Sequence, residues 1–281
     1  MHSSINGQGR IMNNKDILRI AMAQSAEDIG CAVEDFTKTE NVIKKFQLGK
    51  NARKYYKEPI YADFVSYGSN TVIAASDDVR GIVEEYSAKY EFYHLFETPS
   101  VYWLNERLAD KDCAVCFMAE YYLPDKDRFF DKKLYENLSV DYELRVLEHD
   151  DFEDLYLPEW GNALCKDRSE LDVLGVGAYD KDKLIGLAAC SADCDEMWQI
   201  GIDVLPDFRK QGIASAITSR LAAEIFERGK IPFYCSAWSN VRSVRNAIKS
   251  GFVPSWMEMT VKPMSVIEEV KNATGTKGGD D

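Results

Sequence analysis

The stretch from Ile200 to Ala216 constrains this chain more than any other: an apolar run ends at Pro206, a polar turn follows, and small residues open a helical pattern. Proline has no N–H to continue a ladder, so it closes the strand. A helix start leaves N–H groups without intrahelical partners at the positive end of its dipole, and a phosphate binds there when side chains leave room. Gly212, Ala214 and Ser215 leave that room, and Arg209 and Lys210 place positive charge beside it. A strand, turn and helix built to hold a phosphate is one expectation. The other is a solvated turn ahead of an amphipathic helix.

Composition narrows the setting. With 281 residues, 46% of them hydrophobic, the chain has the material for one large or two modest domains, which excludes a disordered tail protein. The 34 basic residues are outnumbered by 47 acidic ones, a net charge of -13 that repels a phosphate backbone, so no nucleic-acid partner is expected. The seven cysteines are odd in number and set in hydrophobic stretches, as reduced thiols would be. Cys113 and Cys116 form a C-x-x-C inside a strand-like run, and no second pair follows at zinc spacing, so no metal site is expected. No stretch approaches the roughly 18 apolar residues of a membrane helix and the first ten residues lack the apolar centre of a signal peptide. The expectation is a soluble, cytoplasmic protein without a membrane partner.

Along the chain, residues 15–57 read as mostly helical, from Ile17, Ile20 and Ala21 and then Val42, Ile43 and Phe46. Residues 61–67 and 71–75 read as a strand pair, followed by a helix to about Lys89, a short strand near Phe92, a helix from Pro99 and a strand over 113–122. The charged run from Asp125 to Lys133 breaks the pattern. The reading is therefore residues 1–137 as an N-terminal α/β domain, 138–263 as a second domain and 264–281 as a tail. In the second domain, strands over 172–179 and 184–190 flank a turn, a third strand runs from Met197 to Val204, and a helix follows to about Arg228. Strand 231–236, helix 240–250 and a last strand from Phe252 complete it. The order is β, α, β, β, β, α, β, α, β.

With this order in place, Arg209, Gly212 and Ala214 fit the pattern R/Q-x-x-G-x-G/A, preceded by Val204 and Pro206 as Val-x-Pro. Asn240 and Ser243, then Lys249, Gly251 and Phe252, supply N-x-x-S/A followed by K-x-G-F. Together these residues resemble the GNAT superfamily of acyl-CoA-dependent N-acyltransferases over roughly residues 140–262. The resemblance implies an α/β (α+β) GNAT fold: a mixed, mostly antiparallel sheet flanked by helices, here preceded by a second α/β domain. It also implies acetyl-CoA as co-substrate. Pantetheine would lie in a V-shaped opening between the strands ending at Val204 and at Ser236, pairing with backbone groups of Ile202 and Val204 in the manner of an added strand. The pyrophosphate would rest on the N–H groups of Gln211, Gly212, Ile213, Ala214 and Ser215, beside Arg209 and Lys210. Asn240 and Ser243 would approach the thiol arm.

The family's glutamate base would stand at Trp198 and its tyrosine acid at Ala247, so both usual groups are replaced. Glu196, two residues earlier on the strand, is the first candidate base, with a surface carboxylate as the alternative. Tyr234, Cys235 and Ser239 are the candidate proton donors, with core packing as the alternative for the strand tyrosine and cysteine. The N-terminal half carries no phosphate signature. Its Tyr121 to Asp125 echoes Asp203 to Asp207, which suggests a degenerate GNAT-like half and so a tandem arrangement; a chance match of strand ends is the alternative. Its aromatic residues Tyr90 to Phe96, Tyr102 and Trp103 are candidates for an acceptor lining or a homodimer face, with core packing favoured. The functional expectation is transfer of an acetyl group from acetyl-CoA to an amine of a small molecule or protein; the alternative is a CoA-binding regulatory or interaction module without turnover.

Overall fold

The computed structural model describes residues 12–56, 59–129 and 140–275. In chain order, α1 (Asn14–Ile29), β1 (Val42–Lys45), β2 (Ala62–Ser66), β3 (Val72–Ala75), α2 (Arg80–Lys89) and α3 (Thr98–Leu108) come first. They are followed by β4 (Cys113–Pro124), α4 (Lys126–Phe129), β5 (Glu143–Glu148), β6 (Asp172–Asp180), β7 (Lys183–Ser191) and β8 (Met197–Val204). The chain then forms α5 (Ile213–Glu227), β9 (Ile231–Ser236), α6 (Val241–Lys249), β10 (Phe252–Pro263) and α7 (Met264–Gly275).

Two compact units emerge. One comprises residues 1–21 and 121–255, the other residues 22–120 and 256–281. Strands β4 and β10 contribute residues to both. The boundary expected at residue 137 falls outside the described residues. The segment that echoes the phosphate turn, Tyr121 to Asp125, belongs to the same unit as β8. The tail read from residue 264 begins as helix α7.

In the unit holding residues 121–255, β5, β6, β7 and β8 pair antiparallel in sequence order, and β9 joins β8 in parallel. A β-to-β parallel connection needs a crossover, which α5 provides. Its Ile213, Ile217, Leu221 and Ile225 are buried, as are Val176 and Ile185 of the strands. Each such side chain contributes roughly 1.5–3 kcal/mol of transfer free energy. The opposite face is covered by Phe152, Trp160, Ala163 and Leu164 against Leu187 and Ala189. The stretch from Asp151 to Trp160, the first helix of the expected order, forms short 3-10 turns over His149–Leu155 and Pro158–Trp160 instead.

In the other unit, β1 pairs with β3 in parallel, while β2 pairs antiparallel with both β3 and the Met257–Val261 part of β10. Phe64, Ile73, Val83, Tyr86, Leu104, Met259 and Val261 form its core. Here two expectations fail. Val42 and Ile43 belong to a strand, since a short apolar run fits either period and the partner, Val72 to Ala75, lies far along the chain. Phe92 lies in the irregular segment ahead of a 3-10 turn at His94–Phe96. Tyr90, Phe96 and Trp103 pack on the core, whereas Tyr93 and Tyr102 are exposed.

Candidate functional site

Strands β8 and β9 pair over four positions, from Met197 with Ile231 to Ile200 with Tyr234. Beyond that register β8 continues to Val204 with β7 as its ladder partner, Gly201 opposite Ala189 and Val204 opposite Gly186. The Leu205 N–H bonds the Ile185 carbonyl at 3.0 Å. Antiparallel residues alternate between bonding one neighbour and facing the other side, so Leu205, Asp203 and Gly201 bond β7 while Ile202 and Val204 turn their N–H and C=O toward the opposite edge. That is the edge β9 has left. The β8–β9 ladder thus ends before Ile202 and Val204, whose backbone groups face that side. The Val204 carbonyl accepts a hydrogen bond from Arg209 Nε at 3.0 Å.

At the fork itself, Gln199 Nε2 donates to Cys235 Sγ at 3.1 Å, linking the strands one residue past the last pair on β9. Cys235 is half-buried. Tyr234 is buried, and burial raises the pKa of its hydroxyl against the lowering effect of Ser243.

The polar turn after β8 is left-handed at two of its residues. Lys210 (φ 65°) and Gly212 (φ 87°) both lie in the left-handed region, on either side of Gln211. Space does not demand the glycine, because a Cβ there would meet only Val140 Cγ1 at 3.8 Å; the positive φ does. The first helical bond runs from Ala216 N–H to Gly212 C=O at 3.1 Å, so the N–H groups of Ile213, Ala214 and Ser215 precede any intrahelical acceptor. Ile213 and Ser215 point inward and are buried, while Arg209, Lys210 and Gln211 are exposed. Tyr142 donates to Gln211 Oε1 at 2.8 Å.

The second helix closes the other side of the site. Asn240 caps α6, its Oδ1 accepting the Ser243 N–H at 3.3 Å, and Ser243 Oγ stands 2.7 Å from the Tyr234 hydroxyl. Asn246 ties α6 to α5, accepting from Ser215 Oγ at 3.1 Å and donating to Thr218 Oγ1 at 3.0 Å. Ala247 is buried. The structure thus gathers Ile202, Val204, Arg209 to Ser215, Tyr234, Cys235, Asn240 and Ser243 around the parted strands and the two helix starts. Glu196 stands apart. It precedes β8 in an exposed bend, its carbonyl accepting the Ile231 N–H at the paired end of the strands. From there to Gly201 is about 16 Å at the ~3.3 Å rise of a strand.

Two features at this site were missed from sequence. Asp203 accepts from the Asn162 N–H at 2.8 Å, the Ala163 N–H at 3.0 Å and Asn162 Nδ2 at 2.7 Å. Gly201 lies beneath the same turn, and a Cβ on it would overlap the Asn162 carbonyl oxygen. A lone glycine inside a strand pattern is the sequence signal of such a close approach. The Gln199–Cys235 link had no sequence signal.

Residues 110–256, just over half of the chain, match the family described as GNAT acetyltransferase. The chain belongs to the GNAT acetyltransferase family. The family match takes in all of β5 to β9 with α5 and α6, so the opening and both helix starts lie within the GNAT region. Among solved structures, a GCN5-related N-acetyltransferase-like protein from Streptococcus suis is 20% identical, with 59% of this GNAT chain and 68% of that chain covered and a TM-score of 0.43. A GCN5-related N-acetyltransferase from Kribbella flavida is 15% identical, with 58% and 63% covered and a TM-score of 0.42. The yncA protein of Salmonella typhimurium, described with its cofactor acetyl-CoA, is 13% identical, with 44% and 94% covered and a TM-score of 0.34. Among curated proteins, none matches the sequence. Among the described residues, no helix is long and apolar enough to cross a membrane, and no group of side chains could hold a metal ion.

Proposed function

We propose that this GNAT family member transfers an acetyl group from acetyl-CoA to a primary amine. The observation that carries the reading is the parting of β8 from β9 directly before a left-handed turn and the free N–H groups of α5. Acetyl-CoA brings the thioester. The chain's own part is to bind and orient it: Gln211 to Ser215 offer N–H groups to the pyrophosphate, Arg209 and Lys210 add charge, and Ile202 and Val204 offer strand-edge groups to the pantetheine amides. Arg209 holds the Val204 carbonyl, so binding of pantetheine there exchanges that bond and frees the guanidinium for phosphate.

The amine nitrogen forms the new C–N bond, the C–S bond breaks, the amine gives up a proton and the thiolate takes one. Tyr234 is the proton donor this site supplies, its hydroxyl kept protonated at neutral pH and oriented by Ser243. An uncharged amine needs positioning and desolvation more than a dedicated base, which fits a site with Trp198 on the strand and Glu196 outside it. The unbridged thiols of all seven cysteines suit a reducing compartment such as the cytoplasm.

The reading is tested by following thiol release from acetyl-CoA in the presence of spermidine, tobramycin and an alanine-initiated tripeptide. Release that depends on an amine supports transfer. Binding of acetyl-CoA with no release above the amine-free rate replaces transfer by a CoA-binding regulatory module.

A further inference from the structure

The turn at Gly161–Ala163 has no helix or strand of its own to hold it, yet it is fastened to the sheet in three ways, one through β7 and two through β8. Trp160, at its start, is buried among Phe152, Leu187 and Ala189. The Asp203 carboxylate gathers three donors, two of them backbone N–H groups of Asn162 and Ala163. Hydrogen bonds to an ionised acceptor are about twice as strong as neutral ones. Gly201, by lacking a Cβ, lets the Asn162 carbonyl lie directly on the strand.

The position of this turn gives the fastening a purpose. Asp203 and Gly201 stand opposite Leu187 and Ala189, so their side of the sheet is the one Trp160 covers. Gly186 and its partner Val204 face the other side, where Ile213 of α5 packs. The turn therefore walls the unpaired stretch of β8 on the face away from the phosphate-binding helix start. A donor anchored on the α5 face leaves this face to the acceptor.

We propose that Asp203 is a positioning residue that fixes the Gly161–Ala163 turn as the acceptor-side wall of the opening. The proposal rests on the acyltransferase reading above. Burial raises the pKa of the Asp203 carboxyl and the three hydrogen bonds oppose that shift, so the turn itself helps keep the group ionised.

The test uses the best acceptor from the three-amine panel and two variants that disturb the turn from different sides. Asp203→Asn keeps the shape but sets an amide donor against the Asn162 donors; Gly201→Ala pushes the Asn162 carbonyl off the strand. Both are expected to raise acceptor KM by about tenfold while kcat and acetyl-CoA Kd stay within about twofold. Amide exchange at Asn162 and Ala163 is expected to quicken in Asp203→Asn. A folded Asp203→Asn with unchanged acceptor KM, or with an equal loss of acetyl-CoA affinity, overturns the proposal. Unchanged exchange at the turn rejects the clamp itself. Should the wild type neither bind acetyl-CoA nor transfer, the functional reading fails and takes the acceptor role with it, while quickened exchange would still establish the clamp.

Discussion

The hydroxyls of Tyr234 on β9 and Ser243 in the first turn of α6 are 2.7 Å apart. The pair joins the strand that leaves β8 to the helix whose start is capped by Asn240. In the proposed reaction this hydroxyl takes the place of the proton donor that Ala247 cannot supply.

Tyr234→Phe removes the proton but keeps the ring that packs against Tyr122 and Phe252. The variant is expected to lower kcat by about a hundredfold to ten-thousandfold, the range of a single general acid, with acetyl-CoA affinity unchanged. Because burial raises the pKa of the hydroxyl, the wild-type rate should show no loss from this group through neutral pH and fall only in the alkaline range. A Phe variant with wild-type kcat removes Tyr234 from the chemistry.

Glu196→Gln is expected to leave kcat and its pH profile unchanged. The residue is exposed, outside β8 and at the end where the strands remain paired. A drop beyond about fivefold with a shifted acid limb would restore it as a base acting through water.

In the other unit, a hydrogen-bond count forces a proton onto a buried carboxyl. The Tyr56 hydroxyl lies 3.1 Å from Asp63 Oδ2 and 3.1 Å from Glu258 Oε1, and it has one proton to give. The second bond needs a carboxyl that donates. Glu258 also accepts from Arg53, which pairs with Asp28, whereas Asp63 Oδ1 has no hydrogen-bond partner, so the proton belongs on Asp63. Burial, then the charge of Glu258, pushes the Asp63 carboxyl well above the usual carboxylate range.

The sign follows. Below about pH 3.9, folded and unfolded chains both hold this proton and the group favours neither. Above it the unfolded chain releases the proton while the folded one keeps it, so the stability contributed by this site falls as pH rises toward the raised pKa. Asp63→Asn should flatten that slope, and its stability relative to the wild type should rise between pH 5 and pH 8 in urea melts, taken as roughly the span of a carboxylate-to-neutral comparison. A parallel pH dependence in variant and wild type would place the proton elsewhere.

Much of the site was legible because its signals are local. The strand from Met197 to Val204, the helix that opens after Gly212 and the helix that follows Asn240 each depend on a few consecutive residues, and each lies where the sequence put it. What stayed hidden depends on pairing across the chain. Val42 to Lys45 became a strand because Val72 to Ala75 received it, and β4 and β10 divide between two units, which no periodicity can announce. Likewise Asp203 looked like one more polar residue at a strand end until Asn162 arrived from more than a strand and a hairpin earlier. For Glu196, period two gives the face of a side chain but not how far along the strand it stands, and the structure places it in the bend before β8.

The most direct test of the account is calorimetric titration of acetyl-CoA into the wild type, Gly212→Glu and Ala214→Glu. Both variants put a carboxylate where the phosphate should lie, and Ala214→Glu does so without straining a positive φ. Binding by the wild type that is lost in both folded variants is the predicted result. Wild-type affinity retained in folded Ala214→Glu and Gly212→Glu would contradict the assignment of the α5 start as the phosphate site.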